Sequence, residues 1–86
     1  MIRFDIKGKT AVVTGARQGI GHAIALGYAQ AGANLALISR GISQDTVDEM
    51  EAFGVKAKAY AYDLSDPSGI PSLMERIIAD FGGVDI

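Results

Sequence analysis

The stretch of this chain best suited to chemistry is Thr14-Gly15-Ala16-Arg17-Gln18-Gly19-Ile20-Gly21. It follows an apolar run, Thr10-Ala11-Val12-Val13, and leads into an apolar-periodic segment from Ile20 to Ala31. A buried strand, a glycine-rich turn and a helix start in that order form a phosphate-binding device. Glycines let the backbone approach a ligand closely. The first N–H groups of the helix have no partner within it, and the helix dipole places partial positive charge at the same end. The chemistry implied is a grip on the pyrophosphate of a dinucleotide, with the rest of the chain supporting or completing that grip.

The elements that must position this turn follow from periodicity. Met1 to Lys9 reads as a short leader, with Phe4 and Ile6 pairing at a strand edge or tucking under the first strand, and Gly8 at a turn. Thr10 to Thr14 is β-branched and lacks polar alternation, as a parallel strand covered on both faces does. In the helix that follows, Ile20, Ala23, Ile24, Gly27, Tyr28 and Ala31 share one face, which is expected to lie on the sheet, and Gly32 closes the helix. Leu35 to Ser39 is a second strand. Ser43 is placed to cap a second helix, with Asp45 in its first turn and Val47, Met50 and Phe53 inward; its acids, Asp45 to Glu51, read as a solvated face. Gly54 stops that helix. Val55 to Tyr62 reads as a third strand near a sheet edge, because Lys56 and Lys58 alternate with apolar residues. Asp66-Pro67 reads as a cap and first helical position. The stripe Ile70, Leu73, Met74, Ile77, Ile78 and Phe81 then needs a helix, and Pro71 requires either a start near Ser68 to Ile70 or a kink. Gly82-Gly83 ends it, and Val84-Asp85-Ile86 begins a fourth strand.

The alternation of strands and helices with short connections implies an α/β fold with a parallel sheet. Right-handed crossovers give a Rossmann-type doubly wound sheet of order 3-2-1-4, truncated at the fourth strand. The crevice beside the first strand is where such sheets bind dinucleotides. Eighty-six residues make at most one such domain.

Composition narrows the remaining classes. The 86 residues are 49% apolar with a mean hydropathy of +0.22, which suits a packed core. A chain of this length buries only about 60–65% of its unfolded surface, so its stability is marginal. There is no cysteine and one histidine, His22, which excludes a disulfide framework and a thiolate or zinc cluster. No signal-like leader and no apolar run of membrane-spanning length is present, so a soluble, cytoplasmic protein is expected, with no membrane partner. Residues 1–44 carry Arg3, Lys7, Lys9, Arg17 and Arg40 against Asp5 alone, and the second half is acidic. The cations thus share the half that holds the glycine turn, as an anionic ligand requires; a solvated surface of mixed charge would give the same count. The charge is too weak for nucleic acid.

The glycine spacing is Gly15-xxx-Gly19-x-Gly21 rather than G-x-G-x-x-G. Thr14 to Gly21 therefore resembles the T-G-x-x-x-G-x-G motif of the short-chain dehydrogenase/reductase family. The resemblance continues through Asp63-Leu64 and the closing Gly-Gly-Val-Asp-Ile. It implies a role for Gly15, Arg17, Gln18, Gly19, Ile20 and Gly21 on the pyrophosphate side, with Ile20 also near the nicotinamide. The family's acidic position at the end of the second strand falls on Ser39, followed by Arg40. A hydroxyl and a cation there resemble members that prefer NADP(H), whose 2′-phosphate needs positive charge, with NAD as the alternative. Those members often carry a basic residue directly before the second glycine; here that position is Gln18, and Arg17 lies one step earlier. Asp63 resembles the aspartate that meets the adenine amino group, with Leu64 contributing backbone.

The family's catalytic Ser and Tyr-x-x-x-Lys do not occur here. Tyr28 is followed four residues later by Gly32, Tyr60 by Leu64 and Tyr62 by Asp66, and Tyr60 and Tyr62 read as sheet residues. His22 reads as a surface or packing residue. The expectation is the N-terminal part of an oxidoreductase that moves a hydride between nicotinamide and a carbonyl or secondary alcohol, on a sugar acid, polyol or 3-oxoacyl substrate. By family analogy the parent is a homo-oligomer. The alternative is a non-catalytic nucleotide-binding module of 86 residues.

Overall fold

A computed structural model describes residues 6–15, 19–42, 44–63 and 65–86. In chain order the elements are β1 (Thr10–Thr14), α1 (Gly19–Gln30), β2 (Asn34–Ser39), α2 (Gln44–Glu51), β3 (Ala57–Ala61), a 3-10 turn (Pro67–Gly69) and α3 (Ile70–Phe81). The strands form one parallel sheet in the order β1-β2-β3, with Thr10 opposite Asn34 and Leu35 opposite Ala57. Neighbours along a strand present their backbone groups to opposite sides. Lys9 O and Gly15 N bond to β2 residues, at 2.7 and 3.0 Å, whereas Thr10 and Val12 bond to residues 85 and 86. Ile86 N donates to Thr10 O at 3.1 Å and Val12 N donates to Ile86 O at 3.0 Å, the pattern of a parallel pair. Residues 84–86 thus lie along the far side of β1, as the order 3-2-1-4 demands. Asp85 reinforces this edge by accepting a hydrogen bond from Thr10 N at 3.0 Å.

Both sheet faces are covered, which is why β2 shows no polar alternation. Leu35 and Leu37 join Ala11, Val13, Ala25, Ala29, Val47 and Met50 on the α1–α2 face. Ala36 and Ile38 join Tyr60, Leu73 and Ile77 beneath α3. The crossovers therefore place α1 and α2 on one face and α3 on the other.

Three expectations change. The sheet-facing side of α1 is the Ala25–Ala29 stripe, both residues essentially fully buried; of the face expected to pack there, Tyr28 is half-buried against the core, whereas Ile20 is 80% exposed and Ile24 47% exposed. Ala25 and Ala29 lie about half a turn from Ile20 and Ile24 on the helix, and their short side chains admit the close approach that β1 and β2 require. Phe53 is 45% exposed rather than inward, because α2 ends at Glu51 and a turn carries Phe53 past the core. β3 is shorter than expected: its ladder runs only over Ala57–Ala61, opposite Leu35 to Ser39 of β2. Ser43 and Phe4, assigned a cap and a packing role from the sequence, lie outside the described residues.

Pro71 is accommodated without a kink. Asp66 accepts hydrogen bonds from Ser68 N at 3.1 Å and Ser68 Oγ at 2.7 Å, capping the 3-10 turn. α3 proper then starts at Ile70, so Pro71 falls in the first turn, where its missing N–H costs nothing. α3 is tied to the β3 edge through Asp80. Its carboxylate accepts from Lys58 Nζ at 2.8 Å and from the Tyr60 hydroxyl at 2.5 Å, while Lys56 bonds to the Asp80 carbonyl and sits 4.6 Å from the Phe81 ring centre. Among the described residues no helix is long and apolar enough to cross a membrane.

Candidate functional site

The carboxyl ends of all three strands open onto one cleft of about 300 Å³, lined by Gly15, Ile38, Ser39, Arg40, Tyr62, Asp63 and Ser65. Each strand contributes residues at or just past the end of its ladder: β1 gives Gly15, β2 gives its last residue Ser39 and then Arg40, and β3 gives Tyr62 and Asp63. The ends are stitched together by backbone bonds, Gly15 N to Ile38 O and Tyr62 N to Ser39 O, both at 3.0 Å. The cleft is therefore fixed by the same hydrogen bonding that builds the sheet.

Gly15, just past β1, borders this cleft. Gly15 has φ +65°, a left-handed conformation that few residues other than glycine adopt. Gly21 is required for a different reason. A Cβ there would lie 2.2 Å from Gly15 O and 2.7 Å from Gly15 C. The start of α1 thus rests directly on the backbone of the turn, and the cradle exists because no side chain fills it. The free N–H groups at this helix start suit a phosphate anion. Arg17, Gln18 and Leu64, singled out from the sequence, lie outside the described residues. Ile20 is on the solvent side of α1, and Gly19 stands at its first position.

Arg40 is exposed and Ser39 half-buried, and no carboxylate stands at the end of β2. Across the cleft, Asp63 Oδ1 accepts hydrogen bonds from Ser65 Oγ at 2.7 Å and Ser65 N at 2.9 Å. These bonds, with a smaller contribution from the Arg40 charge, hold the Asp63 carboxyl below its usual range. It is therefore an ionised, acceptor-only group. Ser65 and Tyr62 were not singled out from the sequence as cleft residues. The serine two places after an aspartate at a strand end was the available signal, since that spacing favours a turn in which the carboxylate accepts from the residue two ahead.

The tyrosines are structural. Tyr60 is 2% exposed, and burial first, then its bond to Asp80, pushes its hydroxyl far above the ordinary range, so it stays protonated. The Tyr62 hydroxyl accepts from Gly69 N at 2.9 Å and donates to the Asp66 carbonyl. His22 Nε2 lies 2.6 Å from Glu49 Oε1 and joins α1 to α2, so Glu49 is paired rather than simply solvated.

A parallel sheet with helices on both faces and a glycine turn after its first strand defines a Rossmann-type α/β protein. The sequence profile of the short chain dehydrogenase family matches residues 9–86, and the chain belongs to that family. It is 44% identical over 85 residues to a sorbose reductase of Candida albicans, covering 96% of this chain and 30% of that protein. Its fold is similar to the crystal structure of L-sorbose reductase from Gluconobacter frateurii complexed with NADPH and L-sorbose, with a TM-score of 0.85 and 36% identity over 95% of this chain and 33% of that one. It is also similar to the crystal structure of a 3-oxoacyl-[acyl-carrier protein] reductase from Brucella melitensis in complex with NAD, with a TM-score of 0.85 and 31% identity over 90% of this chain and 30% of that one. The chain spans about a third of the length of the curated relatives it matches.

Proposed function

We propose that this chain is the cofactor-holding N-terminal part of an NADP(H)-preferring oxidoreductase. The observation that carries the proposal is the single cleft joining Gly15, Ser39, Arg40 and Asp63, with a cation and no carboxylate at the end of β2. The glycine cradle would take the pyrophosphate, through Gly15, Gly19 and Gly21, with Arg17, Gln18 and Ile20 alongside. Ser39 and Arg40 would take the 2′-phosphate. Asp63 would accept from the adenine amino group, with Leu64 contributing backbone. When bound, the nicotinamide supplies or accepts hydride; this chain's residues bind and orient the nucleotide. NAD is the alternative cofactor.

The parent protein would act on a carbonyl or secondary alcohol of a sugar acid, polyol or 3-oxoacyl compound. Similarity to two sorbose reductases supports the carbohydrate side of that range. By family analogy it would be a homo-oligomer.

Arg40→Asp tests the cofactor assignment. A charge-assisted contact to the 2′-phosphate is worth about 1.5–3 kcal/mol, roughly ten- to hundredfold in affinity. In nicotinamide fluorescence titrations the variant should lose that factor toward NADPH and little toward NADH. Equal loss of both would sink the 2′-phosphate assignment.

A further inference from the structure

Two opposite charges face one cleft without pairing. Arg40 is close enough to act on Asp63 electrostatically, yet no ion pair between them forms among the described residues. The proposed nucleotide site needs both groups free, the guanidinium for a phosphate and the carboxylate for a base. An exposed carboxylate and an exposed arginine facing each other across one cleft attract, and pairing would cost each its ligand contact.

We infer that Ser65 is a positioning residue that pins Asp63 away from Arg40 and so fixes both adenine and 2′-phosphate recognition. Both Ser65 donors, the backbone N at 2.9 Å and Oγ at 2.7 Å, converge on the same oxygen, Asp63 Oδ1. Oδ2 has no partner among the described residues. A carboxylate held through one oxygen by two donors has lost its freedom to swing, and its second oxygen is left to accept one N–H. Adenine offers such a donor in its 6-amino group, whereas hypoxanthine carries a carbonyl acceptor at that position and would face the carboxylate with repulsion. Ser65 belongs to the turn itself, so the pinning is set before any ligand arrives, and the ordering is not charged against binding. The inference rests on reading this cleft as the adenosine seat.

The test compares NADPH with its hypoxanthine counterpart, in fluorescence titrations of the full-length protein, for wild type, Ser65→Ala, Ser65→Thr and Asp63→Ala. Removing the Oγ bond should weaken NADPH by roughly three- to tenfold and shrink the preference for NADPH over the hypoxanthine analogue by a similar factor. Ser65→Thr keeps the hydroxyl and should restore both. A further readout follows from the released carboxylate: the preference for NADPH over NADH should fall in Ser65→Ala, because Asp63 can then pair with Arg40. If Asp63→Ala leaves the adenine-to-hypoxanthine ratio unchanged, the adenosine seat itself is misassigned. If Asp63→Ala abolishes that ratio but Ser65→Ala matches wild type, or weakens both nucleotides equally, the role given to Ser65 is wrong.

Discussion

Gly21→Ala puts the glycine cradle to a quantitative test, because one methyl group would enter a space already occupied by backbone. The added Cβ would lie 2.2 Å from Gly15 O, 2.7 Å from Gly15 C and 3.1 Å from Thr14 O. Ordinary contacts of this kind are 3.4–4 Å, so the start of α1 and the turn must part by about 1 Å, on the scale of packed interiors. Neither side yields easily. Gly15 N is bonded to Ile38 O on β2, and α1 is pressed on the sheet through Ala25 and Ala29. Overpacking of this kind costs about 1–3 kcal/mol. The same displacement would pull the helix-start N–H groups off a bound phosphate, a loss of roughly tenfold or more in nucleotide affinity. Gly27→Ala is the control on the same helix. Nothing lies within 4 Å of its added Cβ, so only helix propensity acts and the variant should gain about 0.5–1 kcal/mol. Urea unfolding followed by circular dichroism, with NADPH titration, reads both quantities. Gly21→Ala with wild-type stability and affinity, or a Gly27→Ala variant as damaged as Gly21→Ala, would refute the cradle argument.

Two further predictions concern the α3 face. Ile77 is fully buried between α3 and the sheet, so Ile77→Ala should cost about 2–5 kcal/mol in urea unfolding; a loss under about 1 kcal/mol would mean that α3 is not packed as described. Hydrogen bonds from Lys58 and then Tyr60 hold the Asp80 carboxyl below its ordinary value of 3.8. A group depressed in this way adds stability that is full above its unfolded value and is lost as pH falls through its folded value. Asp80→Asn should therefore be less stable than wild type at neutral pH and lose less on acidification below about pH 4. Parallel stability curves from neutral pH to roughly pH 2 would show that Asp80 contributes nothing through its charge.

Most of the architecture was legible in the residues, for identifiable reasons. The lack of polar alternation over Thr10 to Thr14 implied a strand covered on both faces, and the helices do lie on both sides of the sheet. The Asp66-Pro67 pair marked a helical start, and of the two alternatives Pro71 left open, a later start or a kink, the structure shows the later start at Ile70. The orientation of α1 was not legible. The helix carries small or apolar residues on both sides, so periodicity weighted Ile20 and Ile24 over the alanine stripe; the choice between the faces is made by how closely β1 and β2 must be approached. Part of the candidate site was legible for a related reason. Gly15 and Gly21 stand out in a local motif, whereas the cleft that unites Ser39, Arg40, Asp63 and Ser65 is created only when three strand ends come side by side. Their neighbourhood depends on strand order, which no single window of sequence contains.

The bonds that residues 84–86 make to β1 bear on the order in which the molecule assembles. β1 meets β2, and β2 meets β3, across separations of roughly two dozen residues. The bond from Thr10 N to Asp85 spans 75 residues. Closing the longer loop costs only about 1 kcal/mol more in chain entropy, so the difference matters less for final stability than for timing. On a ribosome residues 84–86, the partner of that edge, emerge only after β2, α2, β3 and α3, at about 5–20 residues per second. For several seconds the central strand has one side paired and the other bare. An unpaired strand edge is a template for another chain's backbone. Conditions that slow synthesis beyond α3 should thus lengthen the interval in which nascent copies associate through β1, and chaperone demand should peak there.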